Sequence, residues 1–563
     1  MTRTDRPSPG QVSVSFLGGL GTIGRNCALV ETAETTLVLD CGQLFPPEHR
    51  SGTIQAILPD LTEIAKRSDR LGGIVLSHSH EDHLGAVAYL LREVETDVIG
   101  SRFTLAVLER KLDEEGLRSR ANFREVADGD RLRLGDIECE FLPVTHSTPG
   151  GLMTVFRTPQ GVIVHSSDFK LDNNPVDGRR TGLGRLASIA QTEGVRLLLA
   201  DSTNADSEGW TPSETQVGPS LRSLIDERPG RRIIVAAYAR HIHRVQQIVD
   251  AGVANNRTIV PLGRSMEEIS AIARELGELD VPPNRLASPD SLADLEPEET
   301  LVVCTGSQGE PSAALARMAD GSSKWLKLGS QDSVILSSAA IPGNEVAIAE
   351  LKNSLLRRGA EVIAGAAFDL HTSGHGNREE LRVLHSVAEP TFFIPVHGEF
   401  YHLVAHAELA TSMGMRDENV VVCEDGDQVT MSDGAIAKSG SVSSRWCYVD
   451  RSGVPISEAE LDDLELLGRH GAVSVMVVVD LATRRLLAEP VVASRGWTSD
   501  VDMERLHGDA ARVVRDAVTA ELSSDAPDVD SCTRSARRAL GRFVQKSTRR
   551  RPVLLPVVQA ISG

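Results

Sequence analysis

The chain lacks any run approaching the ~18 consecutive apolar residues of a membrane-spanning helix, so none is expected. Its opening, Met1-Thr-Arg-Thr-Asp-Arg-Pro-Ser-Pro-Gly10, lacks the apolar core of an export signal. Cysteine is sparse: seven residues, among them Cys27, Cys41, Cys139 and Cys304, stand singly in strand-like runs without a Cys-x-x-Cys pair. They read as buried thiols in a reducing compartment, and a cytoplasmic protein is expected. No internal repeat is present. Positive charge is also short. A net charge of −20 argues at first against a nucleic-acid partner, since phosphate binding is driven by Lys and Arg displacing counterions. Net charge is the wrong quantity, however, because basic residues can line a channel while acids coat the outside. What is present is length and core: 563 residues, 41% of them hydrophobic, suffice for more than one packed domain.

Leu76-Ser-His-Ser-His-Glu-Asp-His-Leu84 follows the apolar run Gly73-Ile-Val-Leu76 and carries four metal-capable side chains, His78, His80, Asp82 and His83. In extended chain alternate residues share a side, so His78 and His80 can converge on one ion. The following turn then swings Asp82 and His83 toward a second. Imidazole and carboxylate suit Zn²⁺ or Mn²⁺. A lone His-x-His would as readily be a solvated polar loop, so the reading requires further ligands elsewhere.

Three more candidates end apolar strand-like runs. Cys139-Glu-Phe-Leu-Pro-Val144 leads to His146, Gly161-Val-Ile-Val-His165 to Asp168, and Thr391-Phe-Phe-Ile-Pro-Val396 to His397. With these the chain resembles the metallo-β-lactamase superfamily and, within it, the β-CASP nucleases of the ribonuclease J family. The resemblance spans nearly the whole chain and rests on motifs in order. They are Phe16-Leu-Gly-Gly-Leu-Gly-Thr-Ile-Gly-Arg-Asn26, Val38-Leu-Asp-Cys-Gly42, the His78 cluster, Ala200-Asp-Ser-Thr-Asn-Ala205, His243-Arg-Val-Gln-Gln247 and Gly263-Arg-Ser-Met266. Gly306-Ser-Gln-Gly-Glu-Pro311, Ile341-Pro-Gly-Asn-Glu345, His371-Thr-Ser-Gly-His375 and Pro395-Val-His-Gly-Glu399 complete the set.

The resemblance implies that His78, His80 and His146 hold one divalent ion, that Asp82, His83 and His397 hold another, and that Asp168 bridges them. Two such ions sit ~3.5–4 Å apart and add about +4 of local charge. Zinc is the first expectation, manganese or magnesium the alternatives. The resemblance further implies that His375 is the general acid, oriented by Asp201, and that Asp40 supports the metal loop. A carboxylate-held imidazole is the better donor because its charged form is stabilised. Catalytic work is therefore assigned to His375, Asp201 and Asp82.

The fold expected is α/β: a metallo-β-lactamase αββα sandwich, an inserted β-CASP parallel α/β domain and a small α+β carboxy-terminal domain. Arg232-Ile-Ile-Val-Ala-Ala237, Arg257-Thr-Ile-Val-Pro261, Thr300-Leu-Val-Val-Cys304 and Ser333-Val-Ile-Leu-Ser337 alternate with amphipathic stretches over residues 241–250, 266–276 and 345–357. That alternation predicts a parallel sheet with crossover helices. It is an insertion, because His375 and His397 return to the metal motif after it. The divisions expected are residues 1–209 and 366–435 for the sandwich, 210–365 for the insertion, and 450–563 for the last domain, after a flexible linker at 436–449. Gly19-Leu-Gly-Thr-Ile-Gly24 matches the dinucleotide-binding G-x-G-x-x-G, but strand-like sequence follows where that motif needs a helix. It reads as a tight turn near the metals.

Phosphate contacts away from the metals are expected at Ser307, at Ser337-Ser338 and at His371-Thr372-Ser373-Gly374-His375, each ending a strand where free N–H groups can form an anion nest. Cation candidates are Arg240, His241, His243, Arg244, Arg264 and the cluster from Arg534 to Arg551, although a charge run is commonly a solvated face. The resemblance implies 5′-to-3′ exonucleolytic hydrolysis of 5′-monophosphate RNA, with internal cleavage as a second mode, in RNA processing and decay. It also implies a homodimer or homotetramer, with other RNA-decay proteins as further partners. Ser79, Gly150, Ser167, Arg240 and His241 depart from the family pattern and point to a divergent paralogue. Two other classes remain open: a hydrolase of the same fold acting on DNA or a small ester, and a non-catalytic RNA-binding paralogue. Complete metal ligands count against the last.

Overall fold

The computed structural model describes residues 6–47, 50, 53–341, 343–365, 368–497 and 500–561. It divides into two compact units, Met1–Cys447 and Tyr448–Gly563.

In the first unit two sheets face each other. One has eight strands, in the order Ala435–Ser441, Asp427–Ser432, Val12–Gly18, Cys27–Glu31, Thr36–Leu39, Leu71–Val75, Thr96–Gly100 and Ala121–Glu125. The other has six: Phe392–Val396, Val195–Asp201, Gly161–His165, Leu152–Thr158, Ile137–Pro143 and Arg131–Leu134. Their inner faces share one core, in which Val14, Phe16, Leu37 and Val75 meet Phe141, Phe156, Ile163 and Ile394. The outer face of the six-stranded sheet carries Val155, Val164, Leu198 and Phe393. The helices Leu183–Thr192, Arg378–Ala388 and Phe400–Ser412 cover it with Leu186, Leu381 and Leu409. A strand covered on both faces is apolar where it is covered, which is why Leu197, Leu198, Leu199 and Ala200 of Val195–Asp201, and Phe392–Val396, read as continuous runs rather than alternating ones. These two strands and Gly161–His165 run parallel, so their carboxyl ends, where the candidate residues stand, lie at one edge.

The insertion is an all-parallel sheet in the order Thr258–Leu262, Thr300–Cys304, Arg232–Ala236, Asp332–Leu336 and Glu361–Ile363. Helices Ile242–Ala254, Arg264–Leu276 and Glu345–Arg357 make the crossovers, as the alternating pattern predicts. The glycine-rich turn is followed by the strand Cys27–Glu31 and not by a helix, which removes the dinucleotide reading. The stretch after Met431 departs from expectation: Ala435–Ser441 forms an antiparallel hairpin with Asp427–Ser432 instead of a flexible linker. Its outward residues are polar and exposed, so composition gives no strand signal, while backbone pairing to the sheet edge still holds it.

The second unit has Ala472–Asp480 between the antiparallel Val491–Arg495 and the parallel Val553–Ala560. Val473, Val475, Val477 and Val479 turn inward against Val514, Val518, Leu540 and Val544 of helices Asp500–Leu522 and Val529–Thr548. Period-two alternation makes this a one-sided sheet, each buried valine contributing about 1.5–3 kcal/mol.

Candidate metal centre

Backbone geometry shapes the site before any side chain does. Asp40, Ser167 and His397 adopt left-handed φ values of 56°, 59° and 55°, strained for residues with a Cβ. Each follows directly on a strand or stands one residue beyond a strand's neighbour, so the chain is bent sharply just where a functional side chain must turn inward. Two glycines are required by close approach. A Cβ on Gly42 would lie 1.6 Å from the Asp82 carbonyl oxygen, and one on Gly374 would lie 2.7 Å from the His146 ring.

The structure brings together all seven residues expected to ligate metal. Potential ligand atoms of His78, His80, His146 and Asp168 lie within 4.8 Å of one another, as do those of Asp82, His83, Asp168 and His397. Asp168 belongs to both groups. It also belongs to a third, with Asp201, His375 and His397. The donor set fits divalent metal on this structure's own terms, because the buried His78 Nε2 has no hydrogen-bond partner among the described residues.

The opposite ring nitrogens are held. Asp40 lies 2.8 Å from His83 Nδ1, the Gly374 carbonyl 2.8 Å from His146 Nδ1, Thr203 Oγ1 2.7 Å from His397 Nδ1 and Ser77 Oγ 3.0 Å from His78 Nδ1. Such outer partners fix ring orientation and leave the other nitrogen facing the pocket. Asp40 is itself anchored, accepting from the Ser77 N–H at 2.7 Å and the Ser77 hydroxyl at 2.8 Å. Sequence reasoning missed Ser77, Thr203 and Asn26. Asn26 Nδ2 donates to the Asp82 carbonyl at 3.0 Å and sits 3.1 Å from His83 Nε2. Their one signal was position, within or beside the motifs already quoted.

Electrostatics divides the pocket. Burial drives His78 and His146 well below the ordinary imidazole value and His80 down to about 4. At His83 and His397 burial pulls the same way, but the surrounding carboxylates together outweigh it: Asp168, Asp82 and Asp40 at His83, and Asp168, Asp201 and Asp82 at His397. His83 is held well above its usual value and His397 at about 10. Burial works against ionisation of Asp82 and Asp168 too, yet the neighbouring His83 and His397 keep both carboxyls below the usual range. Such a cluster of buried carboxylates calls for positive charge, from protons or from metal. His375 stands at the rim with its Nδ1 2.7 Å from Asp201 Oδ2; burial disfavours its charged form, and Asp201 overrides that and raises it.

Of the expected phosphate residues, Ser373, Thr372 and Ser337 have their hydroxyls engaged within the protein. Ser373 Oγ accepts from Asn204 Nδ2 and from the His375 N–H, while Thr372 donates to the Pro212 carbonyl. Ser337 is buried and donates to the Leu370 carbonyl, Ser307 is buried, and His371 Nδ1 is buried without a partner among the described residues.

The cation candidates change role. Arg240 reaches out of the insertion to the metal loop, donating to the Ser79 carbonyl and to the Glu81 carboxylate, so it is not a free cation. Burial holds His241 well below its ordinary value, and its Nδ1 accepts from the Arg244 N–H, so it is a neutral helix cap and not a cationic donor. Arg244 is enclosed, paired with Glu214 at 2.6 Å and donating to the carbonyls of Ser337 and Leu370. His243 is buried and lies 3.8 Å from Asp177. Arg264 is exposed and bridges Glu114 and Glu268. Among the departures, Ser79 Oγ bonds Thr148 Oγ1 at 2.7 Å, and Gly150 has φ 70° with Ser101 where a Cβ would go.

Two facing sheets flanked by helices, two groups of potential metal ligands that share Asp168 at their edge and a parallel insertion define a metallo-β-lactamase-fold protein of the β-CASP class. Four family descriptions match in chain order: the β-lactamase superfamily domain over residues 35–203, the ribonuclease J β-CASP domain over 230–355, the Zn-dependent metallo-hydrolase RNA specificity domain over 359–423, and the ribonuclease J C-terminal domain over 459–561. Ribonuclease J of Mycolicibacterium smegmatis is 39% identical over 554 residues, 98% of each chain. Ribonuclease J 1 of Streptococcus pyogenes serotype M3 is 36% identical over 551 residues, again 98% of each, and ribonuclease J of Mycobacterium tuberculosis is 37% identical over 564 residues, 98% of this chain and 99% of that one. The chain belongs to the ribonuclease J family. A crystal structure of a protein of unknown function from Enterococcus faecalis V583 shares the fold, with a TM-score of 0.54 at 18% identity over 75% of this chain and 100% of that one.

Proposed function

We propose that this chain is a metal-dependent ribonuclease whose two divalent ions are held by His78, His80 and His146 and by Asp82, His83 and His397, with Asp168 shared. The observation that carries the reading is the pair of ligand groups meeting at Asp168. Zinc is favoured by the donor set, with manganese or magnesium as alternatives. Divalent ions held there would supply Lewis-acid charge to the phosphate and an activated water at neutral pH.

The chain's own residues do the rest. Asp40, Ser77, Thr203 and the Gly374 carbonyl hold the imidazoles in register. His375 gives its proton to the departing 3′ oxygen, and Asp201 keeps that imidazole charged and aimed. His371 and Ser373 form the wall that receives the phosphates and nucleotides behind the scissile bond, with Thr372 and Ser337 buried behind them. The mode proposed is 5′-to-3′ hydrolysis from a 5′ monophosphate, with internal cleavage second, in cytoplasmic RNA processing and decay. Among the described residues no helix is long and apolar enough to cross a membrane.

Digestion of one RNA labelled at either end, bearing 5′ triphosphate, monophosphate or hydroxyl, tests this. Mononucleotides released in order from the monophosphate end are expected; a chain that leaves all three RNAs intact with metal bound would refute it.

A homodimer, or a homotetramer built from it, is proposed through the second unit. There Met476 stands between Val491 and Val557 on the uncovered face of the sheet, all three exposed. Removing residues 448–563 should lower the number of protomers per particle, taken from the mass seen by light scattering, and an unchanged protomer number would exclude that surface.

A further inference from the structure

We propose that helix Val529–Thr548 and the turn after it form a second, sequence-independent binding surface for single-stranded RNA, remote in sequence from the metal motifs. This rests on the ribonuclease reading and adds a site to it. Residues 534–551 hold eight Lys and Arg and no Asp or Glu, in a chain whose net charge is −20. Blocks of like charge on that scale commonly serve nucleic-acid partners.

The fold arranges the run into a face. Cys532, Ala536, Ala539, Leu540 and Val544 are buried in the core of the second unit. Arg534, Arg537, Arg538, Arg542 and Lys546 are exposed on the other side. Arg534, Arg538, Arg542 and Lys546 succeed one another at i, i+4, about 6 Å of rise per step, so their charges form a continuous stripe.

Two bland explanations fall short. The first is pairing with acids. Many arginines elsewhere are matched, as Arg228 with Glu361, Arg157 with Glu193 and Arg67 with Glu31. Among the described residues none of the four stripe cations forms an ion pair, although Arg534 is sensed by the carboxyl of Asp528, which caps the helix. The second is the helix dipole, which welcomes cations in the last turn. It accounts for Lys546 and Arg549 but opposes Arg534 near the start. Like charges at i, i+4 repel, so the stripe is destabilising until an anionic partner neutralises it. A polyphosphate chain does so along its whole length and releases counterions in the process.

The test replaces Arg534, Arg538, Arg542 and Lys546 together with Gln in the full chain, in a His375→Ala background with metals present, where cleavage is slow. Affinity for long poly(U) is measured over a range of salt concentrations. Four lost contacts at about 0.7 each should lower the magnitude of the log-affinity against log-salt slope by roughly 3. Affinity for a short 5′-phosphorylated oligouridylate, held at the metal site alone, should stay the same. Lys at the three arginine positions should restore the slope. An unchanged slope in a variant with unaltered circular dichroism overturns the proposal. So does an unchanged slope with reduced oligomeric mass, or with lost binding to phosphatidylserine vesicles, which would give the stripe to a second copy or to a membrane. If the parent neither cleaves nor binds RNA, the ribonuclease reading fails; if it cleaves but already shows the shallow slope, only this inference fails.

Discussion

Asp201→Asn keeps the shape of the residue and removes its charge, which isolates what that charge does for His375. The carboxylate oxygen lies 2.7 Å from His375 Nδ1, both groups are largely enclosed, and Asp201 is the influence that lifts this imidazole against the pull of burial. For charge centres about 4 Å apart at an effective dielectric near 20, the attraction is about 4 kcal/mol, equivalent to roughly 3 pKa units. With the charge gone, Asp168 alone still opposes burial, and the His375 value falls. A general acid works only while protonated, so the alkaline limb of the kcat profile should move to lower pH, and turnover on RNA at neutral pH should drop about 10²–10⁴-fold. A p-nitrophenyl nucleotide ester, whose departing phenolate needs no proton, should be cleaved near the parent rate. His375→Ala should behave alike and keep both ions. Because Asp168, Asp201, His375 and His397 could also group around a metal, bound metal is measured in each variant. Loss of an ion from His375→Ala, or equal slowing on both substrates, would refute the acid assignment and make His375 a ligand.

Further outcomes follow from the same geometry. The parent should show two metal equivalents by elemental analysis; His80→Ala should show fewer and lose hydrolysis while the melting curve stays cooperative, since the substitution opens no core. Arg240→Ser should leave the salt slope of RNA binding unchanged and speed metal release to a chelator about 10–100-fold, because Arg240 braces the Ser79 and Glu81 positions flanking His80; a flatter slope with unchanged release would return Arg240 to the RNA. Glu140 is buried, which opposes its charge, yet hydrogen bonds from Arg185 and Arg157 hold its carboxyl at about 2 against an ordinary 4.5. Its folded-state value is depressed, so its stabilising effect is whole above about 4.5 and is lost as pH falls toward about 2. Glu140→Gln should therefore melt below the parent at neutral pH, with the gap closing in acid; a gap that widens there would refute the assignment.

The metal motif was legible because its logic is local: His78 and His80 share a side of extended chain, and the turn that follows aims Asp82 and His83 wherever the rest of the fold lies. The strand-end candidates were legible for a related reason, since strands buried in a two-sheet core are written as apolar runs, and His146, Asp168 and His397 stand just beyond where such runs stop, His146 after the antiparallel Ile137–Pro143 and His397 after the parallel Phe392–Val396. The same rule separated the glycine-rich turn from a dinucleotide site, through the strand pattern of Cys27–Glu31. What local pattern could not convey was who meets whom across the chain. The letters Arg240 and His241 suggest charge offered to a substrate, but the fold turns Arg240 onto Glu81 and buries His241 until it is neutral. Ser77 and Thr203 looked like ordinary polar residues until packing set them against His78, His83 and His397. Ala435–Ser441 reads as linker because an edge strand exposed to water needs backbone partners rather than an apolar sequence. Periodicity and residue chemistry thus determined most of the elements and pointed to the candidate ligands, whereas hydrogen bonding, burial and charge pairing act through space, and only the tertiary structure decided them.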